Sequence, residues 1–169
     1  LVVTRDRDLG DTTPFQLSGT GDWHEMGKAK VRYLGPKRQT PRAIAQLLRE
    51  TPHDILYLNS VWDLYFTTLP LLVLRLGGAP RPSRVIISPR GGFSPGALRL
   101  RHRVKKAYLW LTRRVGLYKG AIWQASTPLE AENILQVTGF SGSGVIKIAS
   151  DLPRKFQGVP VKQLVSDQG

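Results

Sequence analysis

An α/β fold, with a mostly parallel sheet and helices on both faces, is predicted by three features of this sequence. Short apolar runs alternate with stretches whose apolar residues recur at helical spacing. The apolar runs are hydrophobic at nearly every position, as in strands buried on both faces. The chain of 169 residues, 41% of them hydrophobic, is long enough for one domain with a sizeable core.

The elements follow in order. Residues 1–4 form a short apolar run that gives way to a polar segment, Arg5 to Asp11, so a strand and then a loop are expected. Residues 12–28 are rich in Gly, Thr, Ser and Pro and read as a long surface loop, with Trp23 as its main anchor. Residues 30–34 alternate polar and apolar, as a half-exposed strand does. Thr40 is an N-cap with Pro41 at the first helical position; Ala43, Ile44, Leu47 and Leu48 then mark a helix that ends before Pro52. Residues 54–58 read as a buried strand closed by Asn59 and Ser60.

Residues 61–76 are mostly apolar and too long for one strand, so the expectation is a helix bent or broken at Pro70 and stopped by Gly77 and Gly78. Residues 85–87 are the next strand. Residues 95–115 are expected to form one long helix, with Leu98, Leu100, Val104, Tyr108, Leu111 and Val115 as its apolar face. Residues 121–125 form a strand. Thr127, Pro128 and Glu130 make a capping box that starts a helix closed by Gly139. Residues 145–149 are the last strand, and from Asp151 the periodicity fades into a linker or tail.

Charge is concentrated. The formal net charge is +13, and between Leu64 and Leu129 there are twelve Lys and Arg but no Asp or Glu. Such an excess attracts phosphates, nucleic acid or anionic membrane surfaces and carries no information about fold. No cysteine is present, which excludes disulfides, thiolate metal sites and a cysteine nucleophile. His24, His53 and His102 lack metal-ligand spacing, so neither a metal nor a cofactor is assigned. The longest apolar run, residues 69–74, is far short of a membrane-spanning helix, and the first residues lack the pattern of a signal peptide. The chain opens as though cut from something longer.

The candidate binding segment runs from Ser88 through Arg90, Gly91 and Gly92 to Ser94, between a strand and a basic helix. In open α/β sheets ligands bind where a strand's carboxyl end turns into a helix. Glycines let a ligand approach the backbone, and Arg90 offers a forked donor to a phosphate or carboxylate. The plainer reading is a turn that needs glycines for its geometry. Asn59 and Ser60 should open onto the same rim, as binding residues or simply as turn formers. Arg99, Arg101, Arg103, Lys105 and Lys106 are read as a solvated face or as a surface for anionic lipid head groups. Nucleic acid is the less favoured partner, since no nucleic-acid motif is present. Asp6, Asp8 and Asp11 are interleaved with Arg5 and Arg7, which favours a solvated loop over a cation site. Ser126 and Thr127 read as helix caps. No serine–histidine–acid arrangement, phosphate-binding loop or dinucleotide fingerprint is present, so the sequence holds no self-sufficient active site.

Four segments together resemble a known family. They are residues 54–60 (DILYLNS), residues 85–98 (VIISPRGGFSPGAL) with Lys105 and Lys106, residues 125–134 (ASTPLEAENI) and residues 145–148 (VIKI). They resemble, in that order, the N-terminal, acceptor-side domain of family-four retaining glycosyltransferases, which have two Rossmann-like domains in a GT-B fold. The resemblance covers residues 1 to about 153 and is most specific over residues 88–98 and the basic helix.

Three departures accompany it. Relatives begin with a strand and a glycine-bearing loop ahead of the segment matching residues 1–4. Relatives continue into a second domain that holds the nucleotide-sugar through a paired-glutamate motif, which nothing after Asp151 matches. Many relatives carry His where this chain has Arg90, and a guanidinium cannot serve as a base.

The resemblance implies that residues 1–150 are a Rossmann-like, acceptor-binding half of a GT-B fold, and that residues 151–169 lead toward an absent nucleotide-sugar domain. The intact enzyme is then expected to pass a sugar from a nucleotide-sugar donor to a glycan or lipid-linked acceptor in polysaccharide or lipopolysaccharide synthesis. Its expected place is the cytoplasmic side, peripheral at the inner membrane face, and the 169 residues alone are expected to be inactive. The competing expectation is a stand-alone module that binds nucleic acid or a phosphorylated ligand without catalysis.

Overall fold

A computed structural model describes residues 1–8, 10–15, 21–139 and 145–150. The linker expected beyond Asp151 lies outside the described residues. Among the described residues seven strands fall into two sheets: β1 (Val2–Arg5), β3 (Ala29–Leu34) and β2 (Trp23–Met26) lie side by side in that order, and β4 (Ile55–Asn59), β5 (Arg84–Ser88), β6 (Ile122–Ala125) and β7 (Ile146–Ile148) form the second. Every pairing in the four-stranded sheet is parallel. The architecture is therefore α/β, a parallel sheet flanked by helices and compatible with a Rossmann-like arrangement.

The strand β2 is a correction to the sequence reading, which made residues 12–28 all loop. It pairs antiparallel with β3 across Gly27, whose φ of 61° a residue with a Cβ rarely adopts. Glycines and short polar residues hid a strand that exists because β3 offers it an edge.

The first helix, α1 (Pro41–Glu50), starts as expected, with the Thr40 hydroxyl accepting from the Ala43 N–H at 3.2 Å. Pro70 does not break its helix. A wide turn at Leu64–Thr68, in which the Thr68 N–H reaches the Asp63 carbonyl at 3.0 Å, leads directly into α2 (Leu69–Arg75) with Pro70 in its first turn. Proline lacks an N–H and is tolerated where a helix begins. Asp63 caps this turn, accepting from Tyr65 and Phe66 N–H groups at 3.0 and 2.9 Å.

Residues 95–115 are not one helix. They form α3 (Pro95–Arg99) and α4 (His102–Arg114), separated by an extended Leu100 and by Arg101 in the left-handed region at φ 53°. The break shifts the apolar faces out of phase. Leu98 and Tyr108 pack on the core as expected, joined by Leu109, but Leu100, Val104, Leu111 and Val115 are exposed. The last helix, α5 (Pro128–Thr138), ends at Gly139 with φ 63°, as its sequence predicts.

The main core gathers Leu58, Ile87, Trp123, Phe93 and Ile134, with Trp123 fully buried and ringed by Phe93 and Tyr118 at 5.7 and 5.2 Å between ring centroids. A second cluster joins Ile44 and Leu48 of α1 to Val73 and Leu74 of α2 and to Leu56 and Val85. All these strand residues share one sheet face. Consecutive strand order with right-handed crossovers places successive helices on the same side. On the other face Ile55 and Tyr57 are exposed and Ile86 and Ile122 half-buried, so the buried character expected for residues 54–58 holds for one face of β4.

Candidate functional site

The carboxyl ends of β4, β5 and β6 meet at one rim. Beyond β4 the chain turns through Ser60 at φ 83°, and beyond β5 through Arg90 at φ 52°. Both are non-glycine residues in the left-handed region, a conformation held only when the surroundings impose it. At Ser60 the imposing contacts are its N–H to the Ser88 carbonyl at 2.8 Å, which extends the β4–β5 ladder, and the Thr67 hydroxyl on its own carbonyl at 2.6 Å. The two turns touch: Arg90 Nε donates to Asn59 Oδ1 at 2.8 Å, and both side chains are exposed.

Within the turn the two glycines have separate tasks, and neither offers an idle amide. The Gly91 N–H donates to Glu130 Oε1 at 2.7 Å, and the Gly92 N–H donates to the Pro89 carbonyl at 3.0 Å. Gly91, at φ 71°, has open space where a Cβ would stand. Gly92 is buried: a Cβ there would lie 2.8 Å from the Pro89 carbonyl oxygen and 2.9 Å from Trp62 Nε1. Its smallness thus serves the indole of Trp62, which donates to the Gly92 carbonyl at 2.8 Å, and does not serve a ligand's approach. Gly92→Ala is expected to cost about 1–3 kcal/mol of stability by overpacking, read as a lowered denaturant midpoint at unchanged slope.

Ser88 is buried, and its strand carbonyl receives Ser60. Ser94 is the N-cap of α3, its hydroxyl accepting from the Ala97 N–H at 3.3 Å. Of the seven rim residues singled out by sequence, Asn59, Arg90 and Gly91 present themselves at the surface, Ser60 and Ser94 are half-buried, and Ser88 and Gly92 form the floor.

Sequence reasoning missed two residues that organise this rim. Glu130 was read as the third position of a capping box, and the Thr127 hydroxyl does accept from its N–H at 3.1 Å. Its carboxylate, however, does not return to the Thr127 N–H. It accepts from the Ser126 N–H at 2.8 Å, the Ser126 hydroxyl at 2.6 Å and the Gly91 N–H. Burial works to raise the Glu130 pKa, but these donors and the nearby Arg90 charge outweigh it and hold the carboxyl below its ordinary range. Trp62 is the second: it packs edge-on against Phe93 at 5.7 Å and carries the Lys105 ammonium 4.7 Å above its ring. A clue to Glu130 existed in the acid ending a long acid-free stretch; nothing in the sequence marked Trp62.

The cations divide. Lys105 reaches back from α4 to the Ala97 carbonyl at 2.5 Å and is an internal tie across the helix corner. Arg101 shapes that corner through its backbone. Arg99, Arg103, Lys106 and Arg114 stand exposed beside the equally exposed Val104, Trp110 and Leu111. Between α4 and α5 a groove of about 370 Å³ is lined by Leu98, Leu109, Trp110 and Val137 together with His102, Lys105, Lys106 and Arg113. No described helix is long and apolar enough to cross a membrane.

Asp6 is buried and forked by Arg7, whose Nε and Nη2 donate at 2.8 and 2.9 Å; the Arg7 hydrogen bond holds the Asp6 carboxyl below its ordinary range. That pairing gives the loop a structural role. No family model, no curated protein and no solved structure matches this chain.

Proposed function

We propose that this chain is the acceptor-side half of a membrane-associated glycosyltransferase of the GT-B type, in which the rim of Asn59 and Arg90 forms one wall of a cleft. The observation that carries the reading is their direct contact at the carboxyl ends of adjacent parallel strands, the edge where such sheets hold ligands. The exposed guanidinium suits an acceptor or donor phosphate, and its compensation by Glu130 keeps the resting rim close to neutral. The groove between α4 and α5, lined by apolar side chains and by cations, suits a lipid-linked acceptor. The surface of α4 adds exposed apolar side chains among unpaired-in-sequence cations, the composition of an interfacial membrane helix. A free-standing phosphate-binding module is the weaker reading, because a backbone phosphate cradle needs amide donors and those of Gly91 and Gly92 are already engaged.

The test is to express the full encoded protein and assay it with a panel of nucleotide-sugars and a membrane extract as acceptor source. The expected result is sugar transfer with retention at the anomeric carbon. Arg90→Ala is expected to raise the acceptor KM at least tenfold while leaving the denaturant midpoint near that of the parent protein. Absence of transfer from every donor, or an Arg90→Ala protein with unchanged kinetics, would sink the assignment.

A further inference from the structure

The amino ends of the strands carry a hollow of their own. A cavity of about 180 Å³ opens at the starts of β5 and β6, beside the end of α2. Its floor is apolar, made of the buried Leu71, Leu74, Leu117 and Ala121. Its lining also takes in Arg75 from the end of α2, Arg81 and Ser83 from the turn before β5, and Lys119 from the turn before β6. The Arg90 turn lies beyond the other end of β5, about 16 Å away for five residues of strand at roughly 3.3 Å each.

Three positive side chains from three separate elements meet no carboxylate here. Every residue of the lining falls within the acid-free stretch, so nothing in the wall neutralises them. Among the described residues the side chains of Arg75, Arg81 and Lys119 form no ion pair and no hydrogen bond. Arg49 and Lys105, by contrast, close on the Gly78 and Ala97 carbonyls. The end of α2 does not engage Arg75 either, since its Leu74 and Val73 carbonyls accept from the Gly77 and Gly78 N–H groups at 3.3 and 2.8 Å. The surrounding backbone is stiffly set. Pro80 and Pro82 fix φ on either side of Arg81, and Gly116, at φ 59°, is so close to Arg75 that a Cβ there would stand 3.1 Å from its Nη2. Like charges gathered around an apolar hollow repel one another, and the same arrangement focuses their field on an anion.

We propose that this cavity is a binding site for a phosphate or diphosphate group, separate from the Arg90 rim. Arg75 and Arg81 supply forked donors that match phosphate oxygens, Lys119 a point charge, and Ser83 a hydroxyl. The volume is below the roughly 300 Å³ at which pockets for whole small molecules begin, so the phosphate enters and the rest of its carrier stays outside. The lining holds the carboxyl end of one helix and the starts of two strands, but no helix amino end. Binding therefore rests on side-chain charge and not on backbone dipoles. The proposal does not depend on the glycosyltransferase reading.

The experiment titrates the full encoded protein with inorganic pyrophosphate and follows the NMR shifts of the Ser83, Gly120 and Ala121 amides, so an anion bound elsewhere does not count. One saturating curve shared by the three amides is expected, weakening as salt rises. Arg75→Gln combined with Lys119→Gln, both at exposed positions, is expected to bind at least tenfold more weakly with a denaturant midpoint no lower than the parent's. Lys37→Gln combined with Arg42→Gln removes the same charge from exposed positions elsewhere and should leave the curve unchanged. No saturation at these amides, an unchanged curve in the Arg75 and Lys119 variant, or an equal loss in the Lys37 and Arg42 variant overturns the proposal. Flotation with phosphatidylcholine vesicles, with and without phosphatidic acid, identifies the carrier. If the Arg75 and Lys119 variant also loses its affinity for phosphatidic acid, the site takes a lipid head group; if only pyrophosphate binding is lost, it takes a free phosphorylated molecule.

Discussion

Replacing Arg99, Arg103, Lys106 and Arg114 together with Gln is expected to weaken binding of the full encoded protein to vesicles rich in anionic lipid by roughly 10²–10³-fold. Each cation near such a surface contributes about 1 kcal/mol, and the four are exposed on α3 and α4. Lys105, though equally basic in sequence, is left out because it is committed to the Ala97 carbonyl and the Trp62 ring. Its replacement should lower stability before it lowers membrane affinity. The parent protein's affinity should also fall as salt rises from 0.05 to about 0.5 M, since screening lengths shrink over that range. A second substitution set, Val104→Ser with Trp110→Ser and Leu111→Ser, should lose affinity in a way that salt does not mimic, because it removes buried apolar area instead of charge. Vesicle flotation across both sets would refute the membrane assignment if neither changed the bound fraction.

Glu130→Ala is expected to cost about 3 kcal/mol of stability, since it leaves the Gly91 N–H and the Ser126 N–H and hydroxyl without their shared acceptor. Glu130→Gln, which keeps one carbonyl acceptor and the volume, should lose less. The pH dependence has a definite sign. Because the folded carboxyl sits below its unfolded value, its stabilising contribution is fully present above the unfolded carboxylate range, about pH 5 and higher. It is lost as pH falls through the depressed folded value. The gap between the parent protein and Glu130→Gln should therefore be widest near neutrality and close in acid; a gap that widened in acid would contradict the hydrogen-bonded carboxylate. Urea midpoints at a series of pH values measure it.

Local chemistry was the legible part of this sequence. Thr40 and Thr127 each begin a helix and Gly139 ends one as their types predict, because a cap is decided within one turn of backbone. The parallel strands were legible because their apolar runs are short and alternate with stretches of helical spacing. What escaped was anything decided across distance. Glu130 meets Gly91 from 39 positions away, and Trp62 meets Gly92 from 30, so neither pairing leaves a trace in spacing. The apolar periodicity of residues 98–115 was real, but a period tells only that side chains share a face and not what that face meets. With the chain broken at Leu100 and the left-handed Arg101, four of its six residues lie exposed. The glycines of the rim were correctly seen as special, yet for Gly92 the reason is an indole, not a ligand.

Lys105 gives the corner between α3 and α4 a further meaning. Its ammonium clasps the end of one helix from the middle of the next, and the same group rests on the indole that holds the rim from beneath. The middle of α4 and the turn that holds Arg90 thus both contact Trp62. A shift of α4 is therefore expected to be felt at the Gly92 carbonyl through this indole.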